Sequence, residues 1–381
     1  MKINKVLLLG LIMLLSAVTP KALAADTIKI GANLDLTGSN AIFDQFAIDG
    51  AKLAIKEFNE NGGFQGRKAE LIVENNRGQI SETTFAAKRL VSAGAIGMIT
   101  PTSPVNALAA ATVSEEMKVP LISTFSTDSY ISSTAKGSKP YSFQLAFSEK
   151  SQGEAMARFI YKSLGKRSAG IFIEENSNFT KAVEESFRQE FKKLGGSVVL
   201  VLIYKKGQTD FTTEIQSLRN AGAEAIYAPG FAKEAGRIIR QARKTGWEVP
   251  VVGSDRWNPM ELRPIAGYAA LTNVYYVTEY DPDVSKGRAA LFKESYQKEY
   301  GKSPQLSAAL AYDATGMILE AMKRAGSSEP AKVRAELEKT SQFRGATGVI
   351  EFREGSHGAT RSLIIMEMIL GREKFKQEFV P

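Results

Sequence analysis

Two apolar runs within residues 96–129 each end abruptly in hydroxyl side chains. Ile99 leads into Thr100, Pro101, Thr102 and Ser103, and Leu121-Ile122 leads into Ser123, Thr124, Phe125, Ser126 and Thr127. One such cluster after a strand is an ordinary turn or helix cap. Two of them on neighbouring strands could be the two halves of a small anion site. Later apolar runs end at Asn178-Phe179, Gly230-Phe231 and Asp255. A free amino acid presents a carboxylate, an ammonium and a side chain. Hydroxyls and backbone N–H groups at helix N-termini suit the carboxylate, an Asp suits the ammonium, and aromatic rings suit an apolar remainder. Each residue also has an ordinary reading. Ser103 could start the helix "NALAAATVSEEMK", Thr127 could be a turn residue, Phe179 and Phe231 core or lobe-interface aromatics, and Asp255 a loop acid. Trp247 and Trp257 read as packing residues.

Other chemistries find little material. His357 is the only histidine and there is no cysteine, which excludes His-based triads, multi-His metal sites, thiol nucleophiles and Cys-ligated clusters. There is no Walker A loop, and "NENGGFQGR" and "GAIGMIT" do not give G-x-G-x-x-G after the first strand. Nothing points to a paired-carboxylate hydrolase. The chain reads as a binding protein rather than an enzyme, with no metal and no cofactor.

The elements that must position these residues alternate. A positive start (Lys2, Lys5), the apolar "VLLLGLIMLLSAV" and Ala22-Leu23-Ala24 predict a secretory signal over residues 1–24. Without a cysteine to carry a lipid, the mature chain should diffuse freely, and the periplasm is the expected compartment. Three lysines of the formal +8 charge lie in that leader. The remaining basic residues are interleaved with acids, as in "KAVEESFRQEFKK", so no nucleic-acid partner is expected. At 381 residues, two domains are the natural expectation. Short apolar runs ("TIKIGANL", "AELIVEN", "AIGMIT", "VPLIST") alternate with amphipathic stretches, and the pattern restarts after residue 150 with "SAGIFIEEN", "SVVLVLIY", "AEAIYAPG" and "VPVVGSD". This predicts an α/β protein of two doubly wound lobes with parallel sheets. Extended stretches near 145, 276 and 348 predict a multi-stranded hinge. Residues 25–144 with 278–348 are assigned to the N-terminal lobe, and 145–277 with 349–381 to the C-terminal lobe.

On "IKIGANLDLTGSNAIFDQFAIDGAKLAIKEFNENGGFQGRKAELIVEN" and the late "AYDATGMILEAM", the mature chain resembles the type I periplasmic solute-binding proteins of ABC importers, in the branched-chain amino acid group. The resemblance implies a role for each candidate. Ser103 and Thr127 would hold the ligand α-carboxylate, with Ser126 counted in the same loop, and the Phe125 carbonyl would accept from the ammonium. Phe179 and Phe231 stand where the group often has tyrosines, Asp255 where it often has a glutamate facing the ammonium, and Phe43 where an aromatic borders the pocket. Phe for Tyr removes two hydroxyls, and Asp is one methylene shorter than Glu. The implied function is capture of an aliphatic amino acid in the interlobe cleft and delivery to a membrane ABC permease by a monomeric protein. Sensing through a membrane receptor, or binding of small amides or aromatic carboxylates, is the alternative.

Overall fold

The strand-helix alternation becomes two sheets of matching topology. The computed structural model describes residues 27–100, 103–281, 283 and 287–379. The expected leader at 1–24 lies outside them, as do Pro101 and Thr102 of the first hydroxyl run. The first half runs β1 (Ile28–Leu34), α1 (Ala41–Glu60), β2 (Ala69–Asn75), α2 (Ile80–Ser92), β3 (Ala95–Thr100), α3 (Pro104–Met117) and β4 (Leu121–Ser123). A small hairpin follows, β5 (Ser133–Thr134) with β6 (Gly137–Ser138), and then β7 (Ser142–Gln144). The order β2-β1-β3-β4-β7 is parallel throughout. β3 is buried at every position, as a parallel strand covered on both faces should be.

The second half repeats the plan with α4 (Glu149–Arg158), β8 (Ser168–Glu174), α5 (Asn178–Lys193), β9 (Ser197–Tyr204), α6 (Thr212–Asn220), β10 (Ala225–Tyr227), α7 (Ala232–Lys244), β11 (Val251–Val252), α8 (Pro259–Ala266) and β12 (Val274–Thr278). Strands β9-β8-β10-β11-β12 are again parallel. In both sheets the chain first winds one way and then the other. The switch points, between β1 and β3 and between β8 and β10, leave crevices at the carboxyl ends of the strands.

Both lobes are completed from the C-terminal part. Helices α9 (Gly287–Tyr300), α10 (Leu306–Ala325) and α11 (Pro330–Glu338) return to the first lobe. There α10 gives Leu310, Ala314, Met317 and Ile318 to the core. It lies so close to α1 that a Cβ on Gly50 would stand 2.0 Å from the Ala308 carbonyl oxygen. A small sheet of β13 (Phe343–Gly345), β14 (Gly348–Phe352) and β15 (Ala359–Arg361) follows. The antiparallel strands β16 (Leu363–Ile369) and β17 (Arg372–Phe379) then extend the second sheet beside β12.

Three crossings join the lobes, after β7, after β12, and between β15 and β16. The last differs from the sequence expectation, which placed it at 348. Alternate residues of β14, Ile350 and Phe352, are buried in the core of the first lobe, and the Phe352 ring packs 5.1 Å from that of Phe143. The boundary therefore falls near residue 362. Arg361, at this third crossing, donates from Nη1 to the Leu145 carbonyl of the first crossing at 3.1 Å and from Nη2 to the Thr347 carbonyl at 2.8 Å. Glu279, at the second crossing, is buried. Burial pushes its carboxyl up to about 7, with the Arg361 charge opposing.

Candidate functional site

The loop after β11 is shaped by packing. Gly253 carries no side chain, and a Cβ there would fall 2.1 Å from the Trp257 ring. Trp257 is thereby folded back into the core, the packing role expected of it. The Ser254 hydroxyl donates to the Pro229 carbonyl at 2.6 Å and accepts from the Arg256 N–H at 3.1 Å. This ties the ends of β10 and β11 and fixes the direction in which Asp255 and Arg256 leave the sheet. Helix α4 supplies the next constraint. Ser148 caps it by accepting from the Ser151 N–H, and one turn later buried Gln152 donates to Asp255 Oδ1 at 3.2 Å and accepts the Asp255 N–H at 3.1 Å. The Asp255 side chain is 7% exposed. Burial raises its pKa, and Arg256 and Gln152 pull it down.

Arg256 is the residue around which the site assembles. Its guanidinium lies 4.5 Å from the centroid of the Phe179 ring and 5.7 Å from that of Phe231. Its Nη2 reaches the Thr127 hydroxyl of the other lobe at 3.4 Å, and its Nε stands 3.9 Å from Asp255 Oδ1. Phe179, in the first turn of α5, is 9% exposed, whereas Phe231, at the cap position of α7, is 39% exposed. Glu149, at the start of α4, is pushed up to about 7, chiefly by burial and then by Asp128 and Asp255, with Arg256 opposing. Among the described residues, the centre thus brings the Arg256 cation together with acids, two aromatic faces and a hydroxyl from the opposite lobe. Thr127, Phe179, Phe231 and Asp255 are brought together through this arginine.

The other candidates stand nearer the edges. Ser103 occupies the cap position of α3, but its side chain makes no capping hydrogen bond, so the capping role it could have played is not used. Ser126 is buried. Its hydroxyl accepts from the Asp128 N–H, and its carbonyl accepts from Gln144. Phe125 and Phe43 are partly exposed, and the Phe43 carbonyl accepts the Ser307 hydroxyl. Among the described residues, no hydrogen bond, ion pair or ring contact links Ser103, Phe125 or Phe43 to Arg256. Sequence reasoning passed over Arg256, Gln152 and Glu149. The signal for Arg256 was its place beside Asp255 at a strand end. Gln152 and Glu149 lie on an amphipathic helix with no local mark of function.

Residues 27–373 match the family described as periplasmic binding protein. The chain belongs to this family. Among solved structures, a leucine-binding protein from Thermotoga maritima is similar with a TM-score of 0.78 at 29% identity, covering 93% of this chain and 99% of that one. A branched-chain amino acid transporter substrate-binding protein from Streptococcus pneumoniae, in complex with isoleucine, gives 0.79 at 29% identity, covering 93% and 100%. A leucine-, isoleucine-, valine-, threonine- and alanine-binding protein from Pseudomonas aeruginosa is 25% identical, with 87% of each chain covered. The type I periplasmic binding protein fold, two doubly wound lobes on a multi-stranded hinge, is that of this chain.

Proposed function

We propose that this protein is the periplasmic substrate-binding component of an ABC transporter and captures an amino acid between its lobes. The observation that carries the reading is the meeting of Thr127 with Arg256 across the cleft at 3.4 Å, beside Asp255 and over Phe179. The cleft offers partners for a carboxylate, for an ammonium and for an apolar side chain within one small space. Ser103 and Thr127 hold the carboxylate from the first lobe, with the Phe125–Thr127 segment lining it. Asp255 faces the ammonium, and Phe179, Phe231 and Phe43 border the side chain. An aliphatic amino acid fits this set, in agreement with the relatives named above. Hinge closure then buries the ligand and presents both lobes to a membrane permease.

A thermal-shift screen of the mature protein over the twenty amino acids, small amides and aromatic acids tests the reading. Stabilisation should grow with the logarithm of concentration above Kd for aliphatic amino acids. The absence of any amino-acid response, together with a response to amides or aromatic acids, would refute it. Export is part of the same proposal: N-terminal sequencing of the protein recovered from the soluble periplasmic fraction should begin at Ala25. An intact Met1 would remove it.

A further inference from the structure

Arg256 stands where the lobes meet, and its hydrogen bonding is incomplete. Nη2 has one long contact, to the Thr127 hydroxyl. Nε is buried and has no hydrogen-bond partner. Nε and Nη2 together form one edge of the planar guanidinium, an edge that takes a carboxylate through two parallel N–H···O bonds. Asp255 does not fill it, because its Oδ1 lies 3.9 Å from Nε and already accepts from Gln152. The rings of Phe179 and Phe231 limit the directions in which the guanidinium can turn. A buried donor left unpaired is costly, so this edge favours any compact anion that enters.

The opposite lobe has matching deficits. The hydroxyls of Ser123 and Thr124, at the end of β4, are buried without partners. Both amide atoms of Asn106, in the first turn of the helix that Ser103 begins, are in the same condition. Unpaired polar atoms therefore lie on both lobes, in the first at the carboxyl end of β4 and the first turn of α3.

We propose that Arg256 determines specificity by taking the ligand carboxylate from the second lobe, opposite the Thr127 hydroxyl in the first. The inference rests on the amino-acid reading above and extends it: the carboxylate, held by both lobes, is the group that couples ligand to closure. Acids that lack an amine then bind as well, whereas amides of either kind bind poorly.

Titration calorimetry with L-leucine, L-leucinamide, 4-methylpentanoate and 4-methylpentanamide tests this on the mature protein. Wild type should favour each acid over its amide by roughly 30-fold or more, the scale of losing one partner of a buried charge pair. Arg256→Met keeps an unbranched apolar side chain beside Phe179 without the guanidinium and should reduce that ratio to about threefold or less. Arg256→Lys, which keeps the charge but not the fork, should fall between them. An Arg256→Met protein that keeps the acid-over-amide ratio, or binds the acids more tightly than wild type, overturns the proposal and makes the arginine a plug over Phe179. If Arg256→Met does not fold, Arg256→Lys decides: an acid-over-amide ratio clearly below that of wild type supports the proposal, and an unchanged ratio overturns it. Binding of 4-methylpentanoate without L-leucine defeats the amino-acid reading and leaves this one standing. Binding of neither acid overturns both.

Discussion

Arg361→Met tests whether the charged knot at the hinge holds the three crossings together. Arg361 is buried. It supplies the donors for the carbonyls of Leu145 and Thr347 at 3.1 and 2.8 Å and the cation nearest in effect to Glu279. Methionine fills much of the volume but leaves two carbonyls without donors and Glu279 without its counter-charge. Each unsatisfied carbonyl costs about 1–3 kcal/mol, and loss of the Arg361 charge makes the buried Glu279 carboxylate harder still to ionise. Together these give an expected total of about 3–5 kcal/mol. With an unfolding entropy of about 2.1 cal/mol/K per residue over roughly 350 residues, the melting temperature should drop by about 4–7 °C. Urea and thermal unfolding measure this directly. Adding Glu279→Gln removes the stranded acid, so the double variant should recover about half of the loss. Asp313 would remain satisfied by the N–H groups of Ala346 and Thr347 and by the Thr347 hydroxyl. A single variant within about 1 kcal/mol of wild type, or a double variant equal to the sum of the singles, would refute the idea of a coupled knot.

Other perturbations separate site from scaffold. Asp255→Asn should weaken amino-acid binding by roughly 30-fold while changing 4-methylpentanoate binding by about threefold or less; calorimetry showing equal losses would make Asp255 a support for Arg256 alone. Gly50→Ala should cost about 1–3 kcal/mol or more, because its Cβ meets the Ala308 carbonyl at 2.0 Å; an unchanged urea midpoint would disprove that close approach. For pH, Glu279 is held at about 7 against an ordinary 4.5, so the folded protein keeps a proton that the unfolded chain releases. This contribution to stability is complete below about pH 4.5 and lost as the pH rises through about 7. Glu279→Gln should flatten the fall in unfolding free energy between those values. Asp44, pushed up to about 7 mainly by burial, should leave a residual slope.

The sequence made the βα alternation legible because buried parallel strands read as short apolar runs. "AIGMIT" and "VPLIST" lie where β3 and β4 run, and Thr127, just beyond the second of them, reaches Arg256 of the other lobe. What escaped notice lacked such a pattern. Strand β17, "REKFKQEF", is polar along most of its length because it is the exposed edge of its sheet. Its partner β16 pairs antiparallel, which the parallel expectation did not include. The third crossing was placed at "GATGVIEF", since an extended segment reads alike in a hinge and in a lobe; only the burial of Ile350 and Phe352 distinguishes them. Arg256 escaped because its role depends on approach to Thr127, 129 residues distant in sequence. Gln152 escaped for the same reason, being 103 residues from Asp255.

The return of α10 and β14 to the first lobe has a consequence in time. The core beneath β1 and β3 includes Leu310, Ile318 and Ile350, and the core of the second sheet includes Ile365, Met366 and Met368. Neither lobe can seal until the residues beyond 306 have arrived. Contacts of such long sequence separation slow folding. A chain that becomes available from its N-terminus onward is held open by its own topology until nearly its whole length can take part. The late helix α10 and the final hairpin of β16 and β17 are the last parts to dock, and the cleft is complete only once they have done so.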